Sequence, residues 1–293
     1  MSIPTLGFIG LGVMGSAMCA NVVRRHGAPV HVFDMDADAI AVHAAAGAVG
    51  AATLADVGKA ADVVLLSLPG GSQVAAVCDE LAGHLRPGAV VIDLSTTSVA
   101  EARAIAGKLA AKGIAFADAP VARTREAAQT GTLSIMVGAS PGLFARIAPL
   151  LAYMGSDVTH CGDVGCGQVV KLINNCLLFE NVAAIAEMMV VAERAGVSAD
   201  KLIEAVGLGS GNSFALQNHA RKAMAPRAFP LKAFPSTYTL KDLGYAIELA
   251  EQMGVEPRVA RLAASFYARA VDQGFGEEYF PAIIKLVDED KAA

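Results

Sequence analysis

Three glycines near the start of the chain constrain its fold more than any other feature. They form the pattern Gly-x-Gly-x-x-Gly at residues 10–15, directly after a short apolar run at residues 5–9. Residues 13–26 have helical periodicity up to Gly27, so the motif is predicted to lie between a strand and a helix. There the first glycine permits the tight turn, the second lets a pyrophosphate approach the backbone, and the third lets helix and strand pack closely. The pattern therefore predicts a dinucleotide-binding turn.

An acidic residue follows the second predicted strand. Asp34 comes directly after the apolar residues 30–33, where a carboxylate would hydrogen-bond the ribose hydroxyls of adenosine. Its neighbours Met35 and Asp36 supply no cation for a 2′-phosphate, so NAD is favoured over NADP. The alternative is that Asp34 only caps a turn. The cofactor contacts expected in this region are Gly10, Leu11, Gly12, Val13, Met14, Gly15 and Asp34.

The strand and helix alternation continues beyond this unit. Residues 62–68 and 89–94 are nearly continuous apolar runs between helical segments, as in a parallel sheet that is covered on both faces. Further short runs follow at residues 115–121, 133–138 and 158–161. The pattern predicts an α/β fold, a Rossmann-type doubly wound parallel sheet.

A long segment without proline or glycine comes next. Residues 168–195 predict a helix of roughly 40 Å, at 1.5 Å per residue. Its apolar residues fall on every side, which indicates burial between lobes or between subunits, and a homodimer or homotetramer is expected. Only helical periodicity follows. We therefore expect an NAD-binding domain at residues 1–163, a long interdomain helix at 164–196 and an all-α domain at 197–293.

Composition excludes several functions. Charged residues are 17% of the chain, the net charge is −5 and no basic block is present, which argues against nucleic-acid and anionic-membrane binding. The uncharged residues 1–23 are broken by glycines and lack a basic start, so neither a membrane span nor a signal peptide is expected. The five cysteines form no C-x-x-C pair, which predicts reduced thiols and a cytoplasmic protein. The histidines have no metal-ligand spacing, so no metal is expected.

One lysine is a candidate for proton transfer. Lys171 lies near the start of the predicted long helix, and Asn174 and Asn175 follow at i+3 and i+4 on the same helical face. Apolar neighbours would partly desolvate the amine and favour its neutral form, which suits proton transfer. An amide one turn away could hold a substrate oxygen. The alternative is a lysine that snorkels along the helix surface.

Five segments resemble the β-hydroxyacid dehydrogenases, the group that includes 3-hydroxyisobutyrate dehydrogenase and tartronate semialdehyde reductase. They are Gly7-Phe-Ile-Gly-Leu-Gly-Val-Met-Gly15, Asp118-Ala-Pro-Val121, Gly131-Thr-Leu133 with Met136-Val-Gly138, Gly167-Gln-Val-Val-Lys-Leu-Ile-Asn-Asn175 and Lys241-Asp-Leu243. The resemblance spans the whole chain in the right order. It implies a nicotinamide-dependent enzyme that interconverts a small 3-hydroxy acid and its semialdehyde, with the site in the cleft between two domains.

The resemblance also implies roles for single residues. Lys171 would transfer the proton, Asn175 would orient the substrate, and Lys241 would lie near the nicotinamide. Asn174 is a further candidate for substrate binding by its spacing from Lys171. Residues 209–214 are similar to the family's flexible segment that closes over substrate, although a glycine-rich turn between helices is the simpler alternative. Further contacts are expected to the cofactor from Leu68, Pro69 and Thr96 and to the substrate from Ser210 and Asn212.

One motif departs from the family pattern. After Asp-Ala-Pro-Val the family usually has Ser-Gly-Gly, which anchors the substrate carboxylate, whereas this chain has Ala122-Arg123-Thr124. An arginine offers a planar fork of donors for carboxylate, sulfonate or phosphate oxygens. The Arg-Thr pair resembles the sulfolactaldehyde reductases, so Arg123 and Thr124 are expected to bind the anionic end of a hydroxy acid or sulfonate. The alternative is a surface arginine paired with Glu126.

Three other functions are less compatible with the sequence. An oxidative decarboxylase of the 6-phosphogluconate type normally has a much larger C-terminal domain. Imine reductases share the expected fold but usually replace the lysine. A non-catalytic NAD-binding module, or a reader that resembles the glyoxylate-reductase-like chromatin proteins, is disfavoured because both Lys171 and Asn175 are present.

Overall fold

The chain divides into two compact units. The computed structural model describes residues 3–231 and 233–289. The first unit ends at Lys171 and the second begins at Leu172. This boundary falls inside the long helix, which the sequence analysis treated as a segment of its own.

The first unit alternates strands and helices, as the apolar runs predict. Its strands are β1 Leu6–Ile9, β2 Val30–Phe33, β3 Val49–Gly50, β4 Val63–Leu66, β5 Val90–Asp93, β6 Ala115–Asp118, β7 Val121–Ala122, β8 Leu133–Gly138 and β9 Gly155–Gly162. Its helices are α1 Val13–His26, α2 Ala37–Ala45, α3 Leu54–Ala60, α4 Gly71–Leu81, α5 Val99–Ala110, α6 Arg125–Thr130 and α7 Pro141–Leu151, and α8 Cys166–Arg194 begins in this unit.

The strands form one sheet with two buried faces. The order β3-β2-β1-β4-β5-β6 is parallel throughout, the order of dinucleotide-binding sheets. Neighbouring residues of a strand point to opposite faces, so Phe8 belongs to one core cluster and Ile9 to the other. The doubly wound prediction is therefore confirmed for these six strands.

The far edge of the sheet differs from the all-parallel prediction. β8 runs antiparallel to both β6 and β7, while β9 is parallel to β8. Only the short β7 and α6 join β6 to β8, and no long crossover helix lies between them in the described chain. Antiparallel strands at the edge of a parallel sheet are common, and an apolar run does not reveal strand direction.

The second unit is helical, as predicted. It contains most of α8, followed by α9 Ala199–Gly207, a π-helix Ala215–Met224, α10 Ser236–Gln252, α11 Arg258–Ala270, a π-helical turn Val271–Phe275, a 3₁₀ turn Phe280–Ile283 and α12 Ile284–Glu289. Its core is a cluster in which Phe179 of α8 contacts Tyr267 and Phe280 edge-on. Aromatic pairs in this arrangement add stability beyond their buried area.

The long helix α8 is buried along one side only. Phe179 and Val182 lie in the core of the second unit, whereas Leu177, Met188 and Val191 are more than half exposed. Within this chain, therefore, only one side of α8 shows the burial that the sequence predicts. By length and composition α8 is also the one helix of the described residues that could cross a membrane. One side of α8 packs in the core of the second unit, as the core helix of a globular domain does.

Candidate active site

The glycine motif forms the turn that the sequence predicts. Gly10 has φ +94°, and a Cβ added there would lie 2.2 Å from the carbonyl oxygen of Ser67. A Cβ on Gly15 would lie 2.0 Å from the carbonyl oxygen of Gly10. A Cβ on Gly12 would meet no described atom within 4 Å. The outer glycines are therefore required by packing, while the middle one faces open space.

The start of α1 is suited to an anion. Gly12 is the N-cap residue, and neither a side-chain cap nor an acidic residue occurs in the first turn of this described helix. The first backbone N–H groups of a helix and its dipole attract negative charge. The open space at Gly12 together with these N–H groups fits the pyrophosphate of a dinucleotide.

Asp34 lies beside the glycine turn. Its Oδ2 accepts a hydrogen bond from the backbone N–H of Leu11 at 2.5 Å, and its Oδ1 accepts one from the N–H of Asp36 at 2.9 Å. The carboxylate therefore caps a turn, as the alternative interpretation held. Each carboxylate oxygen has a second lone pair that can accept from a ribose hydroxyl. The two interpretations are compatible.

Two further loops meet at the carboxyl ends of β4 and β5. The N–H of Leu68 donates to the hydroxyl oxygen of Ser95 at 2.9 Å, which joins the loop after β4 to the loop after β5. Pro69 is exposed and Thr96 is half-buried. Ligands of open α/β sheets bind outside the carboxyl ends of the strands, so these loops lie where the prediction requires.

A buried carboxylate holds the start of α8. Asp118, at the end of β6, is fully buried, and its Oδ1 accepts from the N–H of Gly165 at 2.7 Å. Its Oδ2 accepts from the N–H of Gln168 at 2.8 Å. Burial raises the pKa of Asp118, and the backbone N–H groups of Gly165, Gln168 and Gly167 oppose that rise. A carboxylate from a distant strand thus caps the first turn of α8.

Glycines make room for this carboxylate. A Cβ on Gly138 would lie 2.4 Å from Oδ1 of Asp118. A Cβ on Gly167 would lie 2.8 Å from Oδ2 of Asp118 and 2.4 Å from the carbonyl oxygen of Met136. Three of the five resemblance segments therefore converge on one capping interaction.

Lys171 follows one turn after Gln168 on α8. It is 9% exposed, so the lysine is largely withdrawn from water, as the apolar flanking residues predict. Asn175, one turn further, is 5% exposed, whereas Asn174 is exposed and donates from Nδ2 to Oδ1 of Asn175 at 3.1 Å. The two amides are therefore in contact but differ in burial, although the spacing placed both on the face of Lys171.

In the second unit, a buried aspartate joins two predicted site residues. Nδ2 of Asn175 donates to Oδ2 of Asp242 at 2.8 Å. Nζ of Lys241 lies 3.2 Å from Oδ1 of the same carboxylate and above the rings of Tyr238 and Tyr245. Asp242 thus sets the orientation of the Asn175 amide and neutralises part of the charge of Lys241.

Arg123 has an unusual backbone and a defined set of partners. Its φ is +87°, a region that non-glycine residues seldom adopt. Its guanidinium donates to the carbonyl oxygen of Thr132 at 2.6 Å and to Ser156 Oγ at 3.0 Å, and it pairs with Asp157 at 2.7 Å. Ser156 and Arg123 lower the pKa of Asp157. The expected alternative partner, Glu126, is replaced by Asp157.

The other predicted substrate residues lie at the surface or close to it. Thr124 is half-buried and is the N-cap residue of α6. Ser210 and Asn212 are exposed, and Oδ1 of Asn212 accepts from Nε2 of Gln217 at 2.9 Å, next to the π-helix Ala215–Met224. They remain predictions.

Two structural carboxylates were missed by the residue-level reasoning. Asp118 and Asp242 both lie within the resemblance segments, but no role was assigned to either. The signal was available, because an acidic residue in an otherwise apolar strand or helix face needs buried donors. Which donors these are could not be read from the sequence, since Asp118 and Gln168 are far apart along the chain.

Comparison with known proteins agrees with this geometry. Residues 5–162 match the family described as the NAD binding domain of 6-phosphogluconate dehydrogenase. Residues 165–287 match the family described as the NAD-binding of NADP-dependent 3-hydroxyisobutyrate dehydrogenase. The chain belongs to the β-hydroxyacid dehydrogenase family. It is an NAD(P)-dependent oxidoreductase, and NAD is its expected cofactor.

This β-hydroxyacid dehydrogenase has relatives of similar length. The 2-(hydroxymethyl)glutarate dehydrogenase of Eubacterium barkeri is 34% identical, covering 97% of this chain and 95% of that protein. The NAD-dependent L-serine dehydrogenase of Pseudomonas aeruginosa is also 34% identical, and the match covers 97% of each chain. The solved structure of Mycobacterium tuberculosis 3-hydroxyisobutyrate dehydrogenase with L-serine has a TM-score of 0.89 at 32% identity, covering 98% of this chain and 99% of that one.

Proposed function

We propose that this β-hydroxyacid dehydrogenase oxidises the hydroxymethyl group of a small 3-hydroxy acid to its semialdehyde, with Lys171 as the proton-transfer residue. The names of three relatives support the substrate class: 2-(hydroxymethyl)glutarate, L-serine and 3-hydroxyisobutyrate. All three compounds contain a CH₂OH group on the carbon that bears the carboxylate. They differ in the third substituent of that carbon, so the identity of this substituent in the substrate of this enzyme is the part that the experiment must determine.

The observation that carries the proposal is the burial of Lys171 in the helical turn that follows the capped first turn of α8. Asp118 holds the first turn of α8, and Lys171 lies in the next turn with 9% exposure. When bound, NAD accepts a hydride at C4 of the nicotinamide. In oxidation Nζ of Lys171 takes the proton of the substrate hydroxyl, and in reduction it returns that proton to the forming alkoxide. General acid–base catalysis by a positioned side chain contributes roughly 10² to 10⁴ in rate.

Asn175 is proposed to orient the substrate. One N–H of its Nδ2 is committed to Asp242, and the same nitrogen carries a second N–H for a substrate oxygen. Because Asp242 is 2% exposed, the amide is held by a group that itself has little freedom. Lys241, on the other oxygen of Asp242, is proposed to lie toward the cofactor.

The second candidate substrate class is a three-carbon sulfonate, by the resemblance to sulfolactaldehyde reductases. The specific observation is Arg123, which stands where the family usually has glycine and adopts a positive φ. Its side chain is 44% exposed, so a substrate anion can reach it. To bind that anion the guanidinium would exchange Asp157 for the substrate.

A substrate panel tests the proposed function. NADH formation at 340 nm is measured with 3-hydroxyisobutyrate, L-serine and 2-(hydroxymethyl)glutarate, and NADH consumption with sulfolactaldehyde. The proposal expects turnover with at least one of them. If sulfolactaldehyde is reduced with a higher kcat/KM than the carboxylate semialdehydes and loses that advantage in Arg123→Ser, the sulfonate assignment holds. NADH binding without any turnover would favour a non-catalytic NAD-binding module.

We further propose a homodimer through the exposed side of α8. Leu177, Met188 and Val191 are more than half exposed there, and the exposed Val259 of α11 lines one groove with Leu177. Large apolar side chains grouped on a surface are typical of subunit interfaces. Light scattering should give twice the chain mass for the wild type. Leu177→Glu with Met188→Glu should give a monomer, and a wild-type monomer would contradict the proposal.

A further inference from the structure

Gln168 is fully buried, and both polar atoms of its carboxamide bond to one loop. Its Nε2 donates to the carbonyl oxygen of Ser95 at 2.8 Å, and its Oε1 accepts from the N–H of Thr97 at 3.2 Å. The two bonds span the backbone on either side of Thr96. A side chain that pairs with a loop backbone at two points fixes the position of that loop and the direction of the residue between them.

The loop that Gln168 holds, residues 94–98, is at the cofactor end of the sheet. It follows β5, and the hydroxyl of Ser95 ties it to the loop after β4 by accepting from Leu68. Leu68 and Thr96 are both expected cofactor contacts. Gln168 therefore acts on the same loops that are expected to line the cofactor.

The backbone of Gln168 is held as firmly as its side chain. Its N–H donates to Oδ2 of Asp118, and Gly167 beside it has no space for a side chain. Lys171 lies three residues further along α8, about one helical turn. One residue thus connects the loop at Thr96, the cap at Asp118 and the turn that carries Lys171.

We propose that Gln168 is a positioning residue that fixes the cofactor loop, residues 94–98, to the helical turn of Lys171. It thereby keeps the cofactor and the proton-transfer group at a constant distance and orientation. The proposal rests on the proposed function in the role it gives to Lys171. The two hydrogen bonds between Gln168 and this loop, here called the loop lock, do not depend on the substrate. Gln168 touches no reacting atom in this role and acts through Thr96 and Lys171.

Two variants separate positioning from packing. Gln168→Met keeps a side chain of similar length and removes both hydrogen bonds. Gln168→Glu keeps the acceptor for Thr97, and it can donate to the carbonyl oxygen of Ser95 only when its carboxyl group is protonated. Burial raises the pKa of such a carboxyl group, so the protonated form is favoured at mildly acidic pH. Gln129→Met, in which an exposed glutamine on α6 is replaced, is the matched control.

The first measurement uses the full-length protein without cofactor. Hydrogen exchange of the Thr97 amide reports on the lock directly. In Gln168→Met we expect exchange to be at least tenfold faster than in the wild type and in Gln129→Met. An unchanged exchange rate would overturn the loop lock, whatever the enzyme proves to catalyse.

The second measurement is NADH binding, followed by NADH fluorescence. We expect Gln168→Met to raise the Kd about tenfold, the scale of one or two lost hydrogen bonds. Gln168→Glu should bind nearly as the wild type at pH 5.5 and about tenfold more weakly at pH 8. If NADH binding by Gln168→Glu followed the same pH dependence as in the wild type, that result would overturn the proposal even if Gln168→Met failed to fold.

The third measurement determines kcat and KM separately for the best substrate of the panel. Positioning predicts that kcat falls about tenfold in Gln168→Met while KM for the hydroxy acid stays within about twofold. Changed NADH binding with unchanged kcat would overturn the link to Lys171. A wild-type protein that binds NADH but turns over nothing would instead refute the proposed function, and the exchange measurement would still decide the loop lock.

Discussion

The start of α8 and the turn at Arg123 both belong to motifs that resemble one family, yet their side chains are held very differently. At the start of α8, Asp118 and Gln168 are fully buried and every hydrogen bond described above runs to backbone groups. At the turn, Arg123 is 44% exposed, pairs with the exposed Asp157 and adopts a positive φ. The first region is fixed from within the fold, and the second is held by surface contacts.

Under the proposed function, this difference separates the parts of the reaction that must be fixed from those that can vary. Proton transfer depends on geometry, so the lysine follows a helix start that has no room to move. Recognition of the variable end of a substrate can change by replacing one exposed side chain without unfolding the sheet. This explains how the chain can depart from the family pattern at residues 122–124 and keep the pattern at residues 167–175.

The largest effect is expected from breaking the buried cap. Asp118→Ala leaves the N–H groups of Gly165 and Gln168 buried without acceptors, at roughly 1–3 kcal/mol each. We expect the free energy of unfolding to fall by about 3 kcal/mol, measured by urea denaturation. Asp79→Ala, which removes an exposed carboxylate paired with Lys108, should cost less than about 1 kcal/mol. Equal losses in the two variants would remove the contrast between buried and surface contacts.

An intermediate effect is expected at the glycine turn. In Asp34→Ala the ribose hydroxyls lose their acceptor, so the Kd for NADH should rise about tenfold, while that for NADPH should change less. Fluorescence titration with both cofactors measures the two constants. Asp38→Ala, on the exposed start of α2, is the control and should change neither. Equal weakening of both cofactors in Asp34→Ala would show that this carboxylate only caps the turn.

The smallest effect on stability is expected at Arg123. Arg123→Gly removes a surface ion pair, worth roughly 0–1 kcal/mol, together with the exposed hydrogen bonds to Thr132 and Ser156. It also relieves a backbone conformation that costs roughly 1–3 kcal/mol for a non-glycine residue. The free energy of unfolding should therefore stay within about 1 kcal/mol of the wild type or rise. Asp157→Asn removes the pair but keeps the positive φ, so it should be the less stable of the two variants. If Arg123→Gly lowered the free energy of unfolding by about 2 kcal/mol or more, this turn would contribute to stability as the buried cap of α8 does.

Much of the fold could be predicted from the sequence because its signals are local. Glycine spacing and apolar runs gave the bounds of α1, β2 and β8, and the absence of breakers gave α8 to within about two residues. The antiparallel edge at β8 could not be predicted, because strand direction depends on how the chain returns. The sequence also could not tell which side of α8 the chain itself buries, since an apolar residue does not show whether its own chain or a partner covers it.

The candidate site could be predicted as a set of residues but not as a network. Lys171, Asn175 and Asp34 carry their own signals in residue type and spacing. The hydrogen bonds of Asp118 and Gln168 join segments that are distant in the sequence, and the partners of Arg123 come from β9 and the segment before β8. A charge pattern read along the chain favours near neighbours such as Glu126, whereas the fold supplies distant ones.

The most direct test of the account is a single-turnover measurement on Lys171→Met. Reduction of NAD by the best substrate of the panel is followed at 340 nm at saturating cofactor, with Lys201→Met, an exposed lysine on α9, as the control. We predict that the hydride step is at least about 10²-fold slower in Lys171→Met, while the Kd for NADH stays within about twofold. Lys201→Met should match the wild type. A Lys171→Met rate within about threefold of the wild type would contradict the central claim that this buried lysine transfers the proton.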